Sequence, residues 1–179
     1  SNYNKVVNQR NKLLKEYSFR TDIMDTLDIW DIQMAEYGKK VIEERRAFIR
    51  QLNDIIVLIH KNLTGNKEHL QITYEENVSA EAFADTLSRN REKDLRMKMS
   101  MTGPHRDDIC FLVDGVDIRR FGSQGQQRTA ALSLKLSEIE LVKQEIGDTP
   151  ILLLDDVLSE LDSSRQKYLL DGIHDIQTF

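Results

Sequence analysis

Two short runs in this sequence carry residue types and spacings suited to phosphate chemistry. In ILLLDDVLSELDSSR, residues 151–165, four apolar residues stand directly before Asp155 and Asp156. A continuous apolar run of that length reads as a strand buried on both faces of a mostly parallel sheet, and ligands collect at the carboxyl ends of such strands. Two adjacent acids there suit a divalent ion such as Mg2+: one carboxylate holds it directly or through its waters, and the next orients or deprotonates an attacking water. Ser159-Glu160-Leu161-Asp162 follows, with Asp162 or Ser163 placed to cap a short helix. Taken in isolation, the bland alternative is an acid pair that only caps a turn. The second run is Ser123-Gln124-Gly125-Gln126, where a hydroxyl, a glycine and the free amides of a helix N-terminus together can receive a phosphate. Alone, such a segment is more often an ordinary N-cap.

The elements that must position these residues are legible from periodicity. Tyr3, Val6, Arg10, Leu13 and Tyr17 mark a first helix, and Ser18 to Asp22 a polar break. Ile23, Leu27, Trp30, Met34, Tyr37 and Val41 follow at alternating spacings of four and three, resumed by Phe48, Leu52, Ile55 and Ile59 and stopped by Gly65. A helix of about 40 residues, roughly 60 Å long, is expected, packed with the first as a helical hairpin. HLQITYEE at 69–76 alternates like a strand, and a further helix is expected from near Ser79 to about Met101. That helix bears Arg89, Arg91, Lys93, Arg96 and Lys98, a basic face interrupted by Glu92 and Asp94. Asp114-Gly115 between ICFLV and VDI predicts a hairpin over 109–119. Leu132, Leu136, Ile139, Val142 and Ile146 line one face of a helix that starts near Ser123 and ends at Gly147.

The fold class expected is mixed α/β, in three stretches: a mainly helical subdomain over 1–102, the hairpin and the following helix over 103–147, and the acid-bearing strand with its helix over 148–179. Within 179 residues, 40% hydrophobic and 31% charged, there is enough apolar material for one ordinary domain or two small ones. One cysteine, Cys110, excludes an internal disulfide framework. No apolar run approaches about 20 residues, and a cytoplasmic location is the default expectation. A net charge of −5 supplies no global attraction to nucleic acid, so any DNA contact must come from local basic patches.

Together the two runs are more specific than either alone. SQGQQR at 123–128 resembles a signature motif, ILLLDD at 151–156 a Walker B strand and SELD at 159–162 a D-loop, in the order found in ATPase heads of the ABC type, the class that includes SMC proteins. Within that class, GPHRDD at 103–108, FGSQGQQRTAALSLKLSEIEL at 121–141, LLLDDVLSELD at 152–162 and LDIWDIQMAEYG at 27–38 resemble the RecF family of bacterial DNA replication and repair proteins. One feature of the pattern is missing: no GxxxxGK[ST] occurs, and the only Gly-Lys pair, Gly38-Lys39, sits in a helical pattern. The resemblance places that loop ahead of these residues and implies that the chain by itself is non-catalytic. IQTF at 176–179 reads as the start of another core strand.

For the complete protein the resemblance implies a homodimer that sandwiches ATP. Ser123, Gln124, Gly125, Gln126 and Arg128 of one subunit, with Ser159 and Asp162, would face nucleotide held by the other. Asp155 would hold Mg2+, and Asp156 would orient the attacking water. It further implies binding to gapped DNA at junctions of single and double strands, with RecR as partner and RecA loading as the outcome. Arg89, Arg91, Lys93, Arg96 and Lys98, with Lys39, Lys40, Arg45, Arg46 and Arg50, are the candidate phosphate-backbone contacts. The competing readings are a helical protein-interaction module, an SMC-like tether, and a magnesium nuclease recruiting His105, Asp107 and Asp108. A tether needs far longer coiled coils than this chain offers.

Overall fold

The computed structural model describes residues 1–16 and 23–147, with Ser163, Gln166, Lys167 and Leu170. Tyr17, the polar break at 18–22, the expected strand at 151–154 and the acids and D-loop residues after it lie outside the described residues. The elements run α1 (Asn2–Glu16), α2 (Ile23–Leu63), β1 (Leu70–Glu75), α3 (Phe83–Arg89), α4 (Arg91–Met97), a single 3-10 turn at Pro104–Arg106, β2 (Asp108–Val113), β3 (Val116–Asp117), α5 (Ile118–Phe121) and α6 (Gln124–Ile146). This is the mixed helix and sheet class expected. The chain divides into two compact units, Ser1–Ala47 with Tyr74–Ile109 and Phe48–Thr73 with Cys110–Phe179.

In the first unit α1 and the start of α2 form the expected hairpin. Tyr3, Val6 and Val7 cluster with Met34 and Ile42, while Leu14 meets Ile23 and Leu27. Early residues of one helix therefore oppose later residues of the other. Val78, Ala80, Phe83 and Leu87 complete the larger cluster. The buried stripe of α2 differs from the heptad reading: Leu27, Asp31, Met34, Gly38 and Ile42 lie inside, and further along Ile49, Leu52, Ile56, His60 and Leu63 do so. Phe48 is 43% exposed. The reason is the period. A straight α-helix drifts by about 20° per heptad from a 3.5-residue repeat, so over five heptads the stripe moves by about one residue position.

The segment expected as one helix from Ser79 to Met101 is two short helices. Asn90 ends α3, its amide bonding Thr86 and Leu87 carbonyls, and its own carbonyl receives the Asp94 amide of α4. Its side chain donates to Thr102 Oγ1 at 2.8 Å. A polar side chain with a tertiary partner thus breaks the run.

Strands β1, β2 and β3 lie side by side, with β2 and β3 antiparallel in the register Leu112↔Asp117 and Val113↔Val116. Asp114 and Gly115 both take positive φ, 49° and 81°, as the two-residue hairpin requires. The second strand is shorter than the expected 119 boundary, because the Asp117 carboxylate accepts the Arg119 amide at 2.9 Å and starts α5. Asn53 of α2 fixes β1, its amide oxygen accepting from Ile72 N and its nitrogen donating to Ile72 O. Helix α6 ends at Gly147 with φ 70°, as expected. Its buried face is a correction to the sequence reading: Thr129, Ala130, Leu132, Ser133, Ser137 and Leu141 are inside, and Ile146 is 70% exposed. Hydroxyls four residues apart bond carbonyls of their own helix, Thr129 to Gly125, Ser133 to Thr129 and Ser137 to Ser133. With their donors satisfied, small side chains allow close packing where a longer apolar face would not.

Candidate nucleotide-binding site

The N-terminus of α6 is built by a reciprocal cap. Ser123 is extended, and its Oγ accepts the Gln126 amide at 3.2 Å while Gln126 Oε1 accepts the Ser123 amide at 3.0 Å. The Gln127 amide bonds Ser123 O at 3.0 Å. Two first-turn donors, the amides of Gln124 and Gly125, have no partner among the described residues, and Ser123, Gln124 and Gly125 are exposed. A Cβ added to Gly125 would meet nothing nearer than Ser123 Oγ at 3.9 Å. Unsatisfied amides, an unobstructed approach and the positive end of a 23-residue helix together fit an anionic phosphate. Arg128 is exposed one turn along.

Gln126 behaves differently from its neighbours. Half-buried, it is held at both ends of its amide, since Nε2 donates to Glu68 Oε1 at 3.2 Å. Glu68 Oε2 lies 3.4 Å from Nε2 of the buried His60, whose Nδ1 is 2.9 Å from Ser133 Oγ. Sequence reading missed Glu68 and His60. Neither belongs to a motif, and only the fold brings residues 58 positions apart into contact.

GPHRDD forms a brace in the first unit. Gly103, with φ 130°, donates its amide to Asn77 Oδ1, and a Cβ there would meet Tyr3 Oη at 2.5 Å. Tyr3 Oη and His105 Nδ1 are 2.7 Å apart, and His105 Nε2 is 3.0 Å from Ser100 O, so this nitrogen carries the proton and Nδ1 accepts from the tyrosine. Burial holds the His105 imidazole below the usual histidine range, the Ser100 carbonyl opposing. Burial likewise pushes the Tyr3 phenol up. Asp107 accepts from Tyr74 Oη, the Asn77 amide and Arg45, which also donates to Pro104 O. These carboxylate bonds are structural. Among the described residues no group of three or more His, Cys, Asp or Glu is placed to hold a metal.

The candidate DNA contacts separate into two groups. Arg91 is drawn inward to Asp31 and Asp28, and Arg46 forms a two-pronged pair with Glu76 and reaches Glu81. Its hydrogen bonds to Glu76 raise the Arg46 guanidinium pKa against the cost of burial. Arg45 is committed to Asp107. Lys39 and Lys40 make exposed pairs with Glu43 and Glu36 on α2, of the kind that contributes at most about 1 kcal/mol. Arg89, Lys93, Arg96 and Lys98 are exposed. Arg50 is exposed on α2 in the second unit. Asp155, Asp156, Ser159 and Asp162 lie outside the described residues.

No family model matches the chain. A DNA replication and repair protein RecF of Agathobacter rectalis is 56% identical over 178 residues, covering 99% of this chain and 49% of the relative. Over almost its whole length the chain matches a fragment of RecF. A RecF of Clostridium tetani is 43% identical over 185 residues, covering 98% of the chain and 50% of the relative. A solved structure of the recombination mediator protein RecF-ATP in the RecFOR pathway matches with a TM-score of 0.89 at 38% identity, covering 99% of this chain and 50% of that one. The chain thus spans about half the length of the curated RecF relatives it matches. The helical hairpin and the helix carrying the signature residues are parts of the RecF fold, as their resemblance implied.

Proposed function

We propose that the chain supplies the signature-bearing part of a DNA replication and repair ATPase that dimerises on ATP and, as a dimer, binds gapped DNA. One observation carries this reading. The start of α6 presents exposed Ser123 and two unpartnered amides beside a glycine with open space above it, in a chain 38% identical to a solved RecF-ATP structure. Bound across the dimer, ATP would supply a γ-phosphate that joins the two subunits. The chain's own residues bind and orient it: the Gln124 and Gly125 amides donate, the Ser123 hydroxyl donates outward while its oxygen still caps the helix, and Arg128 adds positive charge. In the same reading Asp155 holds Mg2+ and Asp156 orients water. Arg89, Lys93, Arg96 and Lys98 meet DNA phosphates, and RecR and RecA are partners in a cytoplasmic pathway. Among the described residues no helix is long and apolar enough to cross a membrane.

Ser123→Arg in the RecF-length protein tests it, because the longer cation fills the phosphate's space while leaving the subunit's own nucleotide pocket untouched. The expected result is near-normal ATP affinity by fluorescence, no ATP-dependent dimer by light scattering, and gapped-DNA binding reduced to its nucleotide-free level. An ATP-dependent dimer that survives the substitution reduces Ser123 to an ordinary helix cap. A second reading, a protein-interaction module, draws on Ile29 and Ile32, 59% and 70% exposed on α2. It predicts partner capture indifferent to nucleotide.

A further inference from the structure

We infer that Glu68 is a positioning residue for the signature segment, and that Gln126 serves that positioning and does not itself touch nucleotide. The inference rests on the ATP-dimer reading above and assigns residues within the same site. The geometry is the argument. The Gln126 carboxamide oxygen accepts from the Ser123 amide, and one of its two N–H groups donates to Glu68 Oε1 at 3.2 Å. Were this amide turned towards a phosphate, the Ser123 amide would lose its acceptor and Glu68 its donor. Both ends are engaged by protein, and the side chain is half-buried where Ser123, Gln124 and Gly125 are exposed.

Glu68 also approaches a second side chain. It stands on the connection between α2 and β1, and its second oxygen faces His60 Nε2 at 3.4 Å. His60 is fully buried and meets Ser133 Oγ at 2.9 Å. Ser133 has a single hydroxyl proton, directed to Thr129 O, so His60 Nδ1 is the donor to Ser133, and Nε2 donates to Glu68 as well only in the protonated imidazole. Gln126 and Ser133 are seven residues apart, two turns along one face of α6. The His60 and Glu68 side chains therefore grip that face at two levels and fix both the rotation and the axial position of the helix. The free amides at its tip are aimed by this grip. A slip of even half an ångström there would matter, since charge-assisted hydrogen bonds to phosphate lie within a narrow distance range.

An exchange of the two side chains separates positioning from direct contact. Gln126→Glu keeps the helix cap, because glutamate is a favoured third residue of a capping box, but sets two carboxylates against each other. Glu68→Gln with Gln126→Glu restores a hydrogen bond between the positions with donor and acceptor reversed. In the RecF-length protein, light scattering against ATP concentration should show Gln126→Glu weakening ATP-dependent dimerisation by about tenfold, as loss of one charge-assisted hydrogen bond would. The exchanged double variant should return to within about threefold of the parent, and Glu68→Gln alone should stay within that range because its amide oxygen still accepts from Gln126. Nucleotide affinity of the monomer should be unchanged in all three, which separates aiming of the helix tip from a general loss of fold, while the thermal midpoint falls modestly in Gln126→Glu and recovers in the exchange. If Gln126→Glu is impaired and the exchange fails to recover it, Gln126 contacts phosphate directly and the inference is wrong. Unimpaired dimerisation of Gln126→Glu also overturns it. A parent protein that forms no ATP-dependent dimer removes the function reading instead, and the positioning role with it.

Discussion

The Phe83 ring lies against the backbone of Gly38 so closely that a Cβ at that glycine would sit 2.2 Å from Phe83 Cε1 and 3.0 Å from Tyr3 Cε2. Glycine in mid-helix normally costs up to about 1 kcal/mol relative to alanine. Here its bare backbone admits two aromatic rings, one of them fully buried.

Gly38→Ala is therefore expected to destabilise the chain by about 1–3 kcal/mol, overpacking outweighing the gain in helix propensity. Urea unfolding followed by circular dichroism measures it. A neutral or stabilising result would show that Phe83 moves aside without cost.

Arg10 is fully buried and joins three segments, bonding Asp31, Asp94 and Ser100 at 2.7, 2.7 and 2.8 Å. Asp94 is also fully buried and accepts the Met101 amide at 2.9 Å. Removing one partner of a buried pair strands the other, so Asp94→Ala should cost about 3–5 kcal/mol, against about 1 kcal/mol or less for Arg46→Ala at the surface. Chemical denaturation of the two variants side by side decides it; equal costs would mean the buried network contributes nothing special.

His105 sets a pH dependence. Its folded pKa is depressed by burial, so above about pH 6.5 it is neutral in both states, and below that the unfolded chain takes up the proton first. Its stabilising contribution is full above that pH and is lost as pH falls from there towards the folded pKa. His105→Gln should reduce the loss of stability between pH 7.5 and 5.5, read as the shift in denaturation midpoint. An unchanged shift would place the titration elsewhere.

The chain as it stands contains no GxxxxGK[ST]. Isothermal titration with Mg-ATP should show no binding tighter than about millimolar. Micromolar affinity would require a nucleotide site built from other residues.

In the RecF-length protein, Asp156→Asn keeps side-chain size but removes the charge that orients water. ATP hydrolysis should fall at least about tenfold while the ATP-dependent dimer persists. Loss of the dimer as well would give Asp156 a binding role.

Local chemistry made much of this protein readable from sequence. Asp114-Gly115 specifies a turn because both positions tolerate positive φ, and Ser123 with Gln126 specifies a helix start because their cap spans only three residues. Gly147 marks the end of α6 for the same local reason. The start of α6 was legible on such grounds, whereas the likeness to RecF came from the resemblance of whole motifs. What tertiary structure decided depends on partners remote in sequence. Arg10 sits at an apolar position of α1, yet its acids come from residues 21 and 84 positions away. The face that α6 buries combines Ala130, Leu132 and Leu141 with hydroxyls satisfied within the helix, which periodicity of the apolar residues alone does not reveal. The stripe of α2 follows the 3.6-residue period of a straight helix, whose cumulative drift no short window reveals. Glu68 carries no motif at all. Its contact with Gln126 exists only because the α2–β1 connection delivers a carboxylate to the start of α6, and long-range delivery is decided by packing, not by spacing.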